Sequence, residues 1–249
     1  MTDEQRQIRR MEALVANLRD PKHRRRRQHT LQVLAELWDR RHICIRIGPQ
    51  PRIPPSVDAL RAVGLCLDDP KLEVRIAAMV ALTWCEPHFD EALPILEAGC
   101  RDPHPLVRLN AARSLSRLRA HAAGAVPTLR SLLSDPVRTV RWVAAFSLAE
   151  CAPSEECVPI LVDSLWSRSS FERLRSVVAF RGLGPLAWFA IPQLLHMMEQ
   201  RGENELGEVA ELLCELARDG APGLSEPRVL DLREAARARA LKDGPEGSK

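Results

Sequence analysis

Tyrosine is absent from this 249-residue sequence, and all aromatic residues together make up only 4% of it. Alanine, leucine, arginine and glutamate are abundant instead, a balance that disfavours a β-sandwich or barrel and favours an α-rich fold. No apolar run reaches the roughly 18 residues of a transmembrane helix, and the charged N-terminus has no apolar segment of a secretory signal. These absences predict a cytoplasmic helical protein that does not associate with membranes.

The sequence also lacks the local motifs on which metal sites, disulfide frameworks and most catalytic centres depend. Its seven cysteines are scattered without a C-x-x-C pair, and its seven histidines show no metal-ligand spacing. GLGP at 182–185 follows no predicted strand, so it indicates a helix break rather than a nucleotide-binding loop. We therefore expect buried, reduced thiols, no metal and no cofactor. The sequence favours a protein without enzymatic activity, with catalysis left open.

Positive charge is concentrated near the N-terminus. Residues 1–56 carry 13 lysines and arginines against 6 acidic residues, whereas the remainder carries 23 against 27. The run Arg24, Arg25, Arg26 and Arg27 can bind phosphate or an acidic partner, or it can be a solvated helix face. Nucleic-acid binding would need basic side chains on many successive helices, which the acidic remainder disfavours. It stands as the third function hypothesis.

A repeat of 33 residues is the strongest pattern in the sequence. The segment DPKLEVRIAAMVAL begins at Asp69, and similar segments begin at Asp102 and Asp135. A second anchor is the proline of the segments ALPIL, AVPTL, CVPIL and AIPQL. Its steps are 33, 32 and 33 residues, between positions 94, 127, 159 and 192. Two separate anchors with one period predict a tandem array.

Weaker copies extend this array in both directions. Asp20-Pro21 opens a divergent first copy, and the surplus of residues between it and Asp69 predicts an inserted, proline-rich loop. We expect one solenoid over residues 1–218, followed by a C-terminal helix near 226–242 and a disordered tail. Its expected parts are a divergent repeat at 1–40, the loop at 41–56, repeats over 57–218, and the C-terminal helix and tail within 219–249.

Each repeat reads as a helical hairpin. Val107, Ala111 and Leu115 recur at the spacing of one helical face. Asp102 is a suitable N-cap for that helix, and Pro103 suits its first position, where no amide hydrogen is needed. One hairpin cannot bury its apolar face alone, and stacking of neighbours buries it. The sequence therefore predicts an all-α solenoid of about six hairpins.

The motif D-P-x-x-x-V-R-x-x-A-A-x-x-L resembles that of the HEAT-like repeats named after the phycobilisome lyases, over roughly residues 57–200 and more loosely 3–218. The resemblance implies a right-handed superhelix in which the second helix of each hairpin lines the concave surface. It also implies a ladder of aspartates and arginines between hairpins. Mapped onto this sequence, the ladder would comprise Asp69, Arg75, Asp102, Arg108, Asp135, Arg141 and Arg175.

The concave surface is the candidate binding site. Positions one, five and nine residues after each motif arginine face away from the predicted core stripe, and several carry large apolar residues. An exposed apolar strip fits a partner helix or peptide, although adjacent helices could instead bury it. The candidate residues are Ile76, Val80, Trp84, Leu109, Arg113, Arg117, Trp142, Phe146 and Phe180. A protein-binding scaffold is the first function hypothesis, and bilin attachment, implied by the resemblance, is the second.

Overall fold

The chain is helical throughout the part that the computed structural model describes. No strand occurs in those residues, so the predicted all-α solenoid is confirmed. The predicted loop at 41–56 lies outside the described residues except for its last three, as do most of the C-terminal helix near 226–242 and the tail. The described residues are 3–38, 54–200 and 207–225, with 227, 229–231 and 234.

Twelve α-helices follow one another in the described residues, and in chain order they pair into six hairpins. Short 3-10 helices connect many of them. The helices are α1 (Asp3–Arg19), α2 (Arg27–Trp38), α3 (Val57–Gly64), α4 (Leu72–Ala81), α5 (Phe89–Gly99), α6 (Pro105–Leu118), α7 (Val126–Leu132), α8 (Arg138–Cys151), α9 (Val158–Leu165), α10 (Ser170–Leu183), α11 (Ile191–Gln200) and α12 (Gly207–Arg218).

The chain forms two compact units, residues 1–147 and residues 148–249. In the first unit, α2 packs against α4, α4 packs against α6, and α5 packs beside α6. In the second unit, α9 packs against α10, and α10 packs against α12. Within each unit, these contacts join the second helix of one hairpin to the second helix of the next. We call these second helices, α2, α4, α6, α8, α10 and α12, the motif helices.

Small residues allow these helices to approach one another closely. Val107, Ala111 and Leu115 on α6 are fully buried, as their helical spacing predicts. Gly99, at the end of α5, lies against α4 and α6, and a β-carbon there would collide with the Met79 sulfur and crowd Ala111. Each fully buried leucine or valine stabilises the fold by about 1.5–3 kcal/mol. Stacking thus supplies the burial that a single hairpin lacks.

The Asp-Pro turns lie just outside the helices, which corrects the expected capping. Helix α6 begins at Pro105 and not at Pro103. Asp102 accepts a hydrogen bond from the backbone N of His104 at 2.8 Å, so its side chain closes a turn over its own backbone before the helix starts. The same bond recurs from Lys71 N to Asp69 at 3.0 Å and from Val137 N to Asp135 at 2.8 Å.

One stretch, residues 170–199, reaches the length and mean hydropathy of a membrane span by composition alone. It is not one continuous helix, because α10 ends at Leu183, Gly184 takes a positive φ of 55°, and a 3-10 helix runs to Ala190. Phe180 within it is fully buried. Its hydropathy reflects the packed interior of the second unit, so the stretch is weak evidence for a membrane span.

Candidate functional site

Buried arginine–aspartate pairs join consecutive repeats of the first unit. Arg75 Nε donates to Asp102 Oδ2 at 2.8 Å, and its Nη1 donates to the carbonyl O of Asp69 at 3.0 Å. Arg108 repeats this geometry, with Nε 2.7 Å from Asp135 Oδ2 and Nη1 3.0 Å from the carbonyl O of Asp102. Each arginine therefore ties the turn of its own repeat to the turn of the next. We call each such pair a rung of the ladder.

The rung between Arg108 and Asp135 is electrostatically strong. Burial by itself would raise the pKa of Asp135, but the hydrogen bonds from Arg108 and from the backbone N of Val137 outweigh it, and the net pKa shift is downward. The hydrogen bond to Asp135 also raises the pKa of Arg108. Both groups are ionised at neutral pH, and the two parallel bonds are charge-assisted.

The first rung uses Arg27, which the sequence had placed in a basic patch. Arg27 Nη1 donates to Asp69 Oδ2 at 2.9 Å, and both side chains are largely buried. These partners are 42 residues apart, against 27 for the later rungs, because the predicted inserted loop lies between them. We call residues 41–56 the additional segment. Arg27 therefore belongs to the ladder, whereas Arg25 and Arg26 are exposed. Counted from Asp20, the motif spacing of six residues would have selected Arg26, so the repeat pattern alone did not identify Arg27.

The last ladder arginine is at position 173, which corrects the assignment of Arg175. Arg173 Nη1 donates to the carbonyl O of Ser167, six residues earlier, at 2.9 Å. Arg141 makes the equivalent bond to its own turn at 2.8 Å. Ser167 also accepts a hydrogen bond from Ser169 N at 3.2 Å, in the place of the turn aspartate. The step from Arg141 is 32 residues, the same step that the proline anchor shows in this repeat.

Burial along α10 agrees with this register. Ser176 and Phe180 are fully buried, and counted from Arg173 they occupy the core stripe. Leu174 and Val178, one and five residues after Arg173, are 55% and 38% exposed. Phe180 is therefore a core residue. Leu174 and Val178 are the outer-face residues that the sequence analysis missed.

The outer face of α4 and α6 in the first unit combines apolar and basic side chains. Val80 is 41% exposed, and Arg113 and Arg117 are exposed. The Arg117 guanidinium lies 5.1 Å from the centre of the Trp84 ring, within the range of a cation–π interaction. The half-buried members of the predicted set here are Ile76, Trp84 and Leu109.

Two of the predicted surface aromatics are buried. Trp142 is 9% exposed and Phe146 is 4% exposed, so the exposure expected for them is wrong. Their positions after Arg141 match those of Leu174 and Val80, but their large rings are buried. Helical spacing gives the direction of a side chain and does not give how closely its neighbours approach.

Three of the buried cysteines are unreactive thiols. Burial raises the pKa of Cys66 to about 11 and the pKa of Cys85 and Cys100 to about 12. A thiol with such a pKa is protonated at neutral pH and is a weak nucleophile. Among the described residues, no group of three or more histidine, cysteine or acidic side chains is placed to hold a metal ion.

The repeat pattern matches a known family. The family profile described as HEAT repeats matches residues 60–149 and again residues 93–180. Residues 60–180 are therefore similar to HEAT repeats. No curated protein matches the sequence.

Two solved structures share the fold of this chain. Two engineered proteins from the Northeast Structural Genomics Consortium align at a TM-score of 0.50, with 18% and 19% identity, over 91% and 94% of this chain and 97% and 99% of theirs. Such low identity shows the fold alone. The complex of CpcE and CpcF of phycocyanin lyase from Nostoc sp. PCC7120 aligns at 20% identity over 91% of this chain and 94% of that one. Its TM-score of 0.36 is too low to support an argument about function.

Proposed function

We propose that this HEAT-repeat protein is a non-enzymatic scaffold that binds another protein on the outer face of its motif helices. The carrying observation is the exposure of large apolar side chains at the same repeat positions. Val80 lies five residues after its ladder arginine in the first unit, and Leu174 and Val178 lie one and five residues after theirs in the second. Exposed apolar side chains that recur in this way are typical of binding surfaces.

The ladder suits this role because it holds the motif helices rigidly. Each rung fixes two turns by side-chain and backbone hydrogen bonds, as between Arg75 and Asp102. A surface that is ordered before binding loses little conformational entropy when a partner docks. The ladder therefore contributes to binding without touching the partner.

The other two hypotheses have less support. One of the basic residues proposed for nucleic-acid binding is not available to contact phosphate, because Arg27 is held in a largely buried ion pair with Asp69. Bilin attachment rests on the sequence resemblance alone. The cytoplasmic location stays a prediction.

Affinity capture from extracts of the native host tests the scaffold proposal. The face variant carries Val80→Glu and Leu174→Glu. The matched control carries Leu65→Glu and Phe189→Glu, since both of these residues are 61% exposed and neither lies on a motif helix. We expect proteins that the wild type and the control retain to be lost from the face variant, as identified by mass spectrometry. Equal retention by all three proteins would contradict the proposal, and circular dichroism verifies that each is folded.

A further inference from the structure

An apolar stripe follows the exposed side of α10. Phe171, Leu174 and Val178 lie at i, i+3 and i+7 and are 53%, 55% and 38% exposed. At about 1.5 Å per residue the stripe extends over roughly 10 Å, or two helical turns. Apolar side chains at this spacing match the apolar face of one docked helix.

Each of the two motif helices that approach α10 carries an exposed acidic residue near the end of α10. On one side, a β-carbon at Gly182 of α10 would lie 3.7 Å from the carbonyl O of Ala149, so α8 passes close to α10 there, and its next residue, Glu150, is exposed. On the other side, Glu211 of α12 is exposed, and it lies one turn before Glu215, which contacts Arg181 of α10.

The arginines of α10 do not offset these acids, because each is already engaged. Arg181 forms two hydrogen bonds with the Glu215 carboxylate, at 2.8 and 2.7 Å. Arg173 donates to the carbonyl O of Ser167, and Arg175 is half-buried and has a partner of its own. Arg168 is exposed and precedes the helix, three residues before Phe171. The flanks of the stripe are therefore acidic.

We infer that the α10 stripe binds an amphipathic helix of a partner protein whose apolar face is bordered by lysine or arginine. This inference rests on the proposed scaffold function and names the class of its partner. The apolar side chains would provide the buried contact, and Glu150 and Glu211 would select basic flanks and reject acidic ones.

A second copy of the chain fits this site less well. In a symmetric dimer the same surface patch meets itself. Such a contact would place Glu150 and Glu211 of one copy opposite the same acids of the other, and like charges across an interface are unfavourable. The observed charges therefore favour a partner of different composition.

Fluorescence anisotropy with synthetic helical peptides tests the inference on the full-length protein. Two labelled peptides share one leucine face and differ only in flanking lysines or flanking glutamates. We expect the lysine peptide to bind at least about tenfold more tightly, a difference of about 1.4 kcal/mol. This preference should weaken between low salt and several hundred millimolar salt, because the flanking charges are exposed and screened.

Variants separate the stripe from its acidic flanks. Leu174→Glu should weaken lysine-peptide binding by about tenfold or more, and Leu174→Ser serves if the first variant does not fold. Glu150→Gln together with Glu211→Gln should weaken it by about three- to fivefold and improve glutamate-peptide binding. Phe189→Ala, at an exposed aromatic off α10, should leave both affinities unchanged.

Three results would overturn the inference. Equal affinity for the two peptides would refute selection by the acidic flanks. The scaffold proposal would still stand if the face variant loses proteins in the capture experiment. Undiminished binding by both Leu174 variants would remove α10 as the site. A dimer in sedimentation experiments that Leu174→Glu dissociates would show that the occupant is a second copy of the chain.

Discussion

Removal of one ladder carboxylate by Asp135→Ala should lower the free energy of unfolding by about 3 kcal/mol. Asp135 accepts hydrogen bonds from Arg108 at 2.7 and 3.0 Å and from Val137 N at 2.8 Å. Loss of one partner from a buried ion pair costs about 3–5 kcal/mol. Arg108 keeps the carbonyl acceptors of Asp102 and Pro103, both at 3.0 Å. Because its charge stays partly satisfied, we expect a cost at the lower end of this range.

Urea denaturation followed by far-ultraviolet circular dichroism measures this change. The matched control is Asp58→Ala, which removes the carboxylate of another arginine–aspartate pair. In that pair the side chains of Arg19 and Asp58 are 44% and 62% exposed, so its loss should have little effect on stability. If Asp135→Ala costs no more than the control, the rungs do not stabilise the fold and our account of the ladder is refuted.

The cost should also depend on pH in a defined direction. The folded-state pKa of Asp135 lies below its ordinary value of 3.8. The rung is therefore fully stabilising above about pH 4, and its contribution is lost as the pH falls through the lower, folded-state value. The difference in stability between the wild type and Asp135→Ala should stay constant from neutral pH to about pH 4 and then decrease. A decrease at clearly higher pH would assign the effect to another group.

Three further changes test the register, the core and the additional segment. Arg173→Ala should lower the melting temperature more than Arg175→Ala, because Arg173 occupies the ladder position; the opposite order would restore the original register. Trp142→Ala should cost about 3–5 kcal/mol of unfolding free energy, as the loss of a buried tryptophan does, and a change below about 1 kcal/mol would mean that its ring is exposed. A short glycine–serine linker in place of residues 41–53 should leave a cooperative thermal transition, since the Ser56 cap on α3 is kept, and loss of that transition would place the segment in the core.

The fold could be predicted because its signals are local and repeated. The motif with Asp69, Asp102 and Asp135 recurs at constant spacing, and each copy contains both a turn and a helical core stripe. Any one copy would be a weak signal, but a shared period requires the copies to adopt the same structure and to stack. The helical hairpins therefore follow from the sequence before any contact is known.

The surface could be predicted only in part. The predicted alignment of α10 with the other motif helices is wrong. Ser167 replaces the motif aspartate there and the repeat is one residue shorter, so the motif points to Arg175 instead of Arg173. The proline anchor contained that 32-residue step and could have corrected the error. The burial of Trp142 had no such signal, since it depends on how closely neighbouring side chains approach, and helical spacing does not report that distance.

The constant separation along the ladder has a consequence for how the chain folds. The rungs from Arg75 to Asp102 and from Arg108 to Asp135 each join residues only 27 positions apart. Contacts between residues close in sequence form quickly, because little loop entropy is lost when they close. During synthesis, each of these rungs can close as soon as one further turn has left the ribosome, before the rest of the chain exists. The rung from Arg27 to Asp69 joins residues 42 positions apart. More of the chain must therefore be synthesised before this N-terminal rung can form.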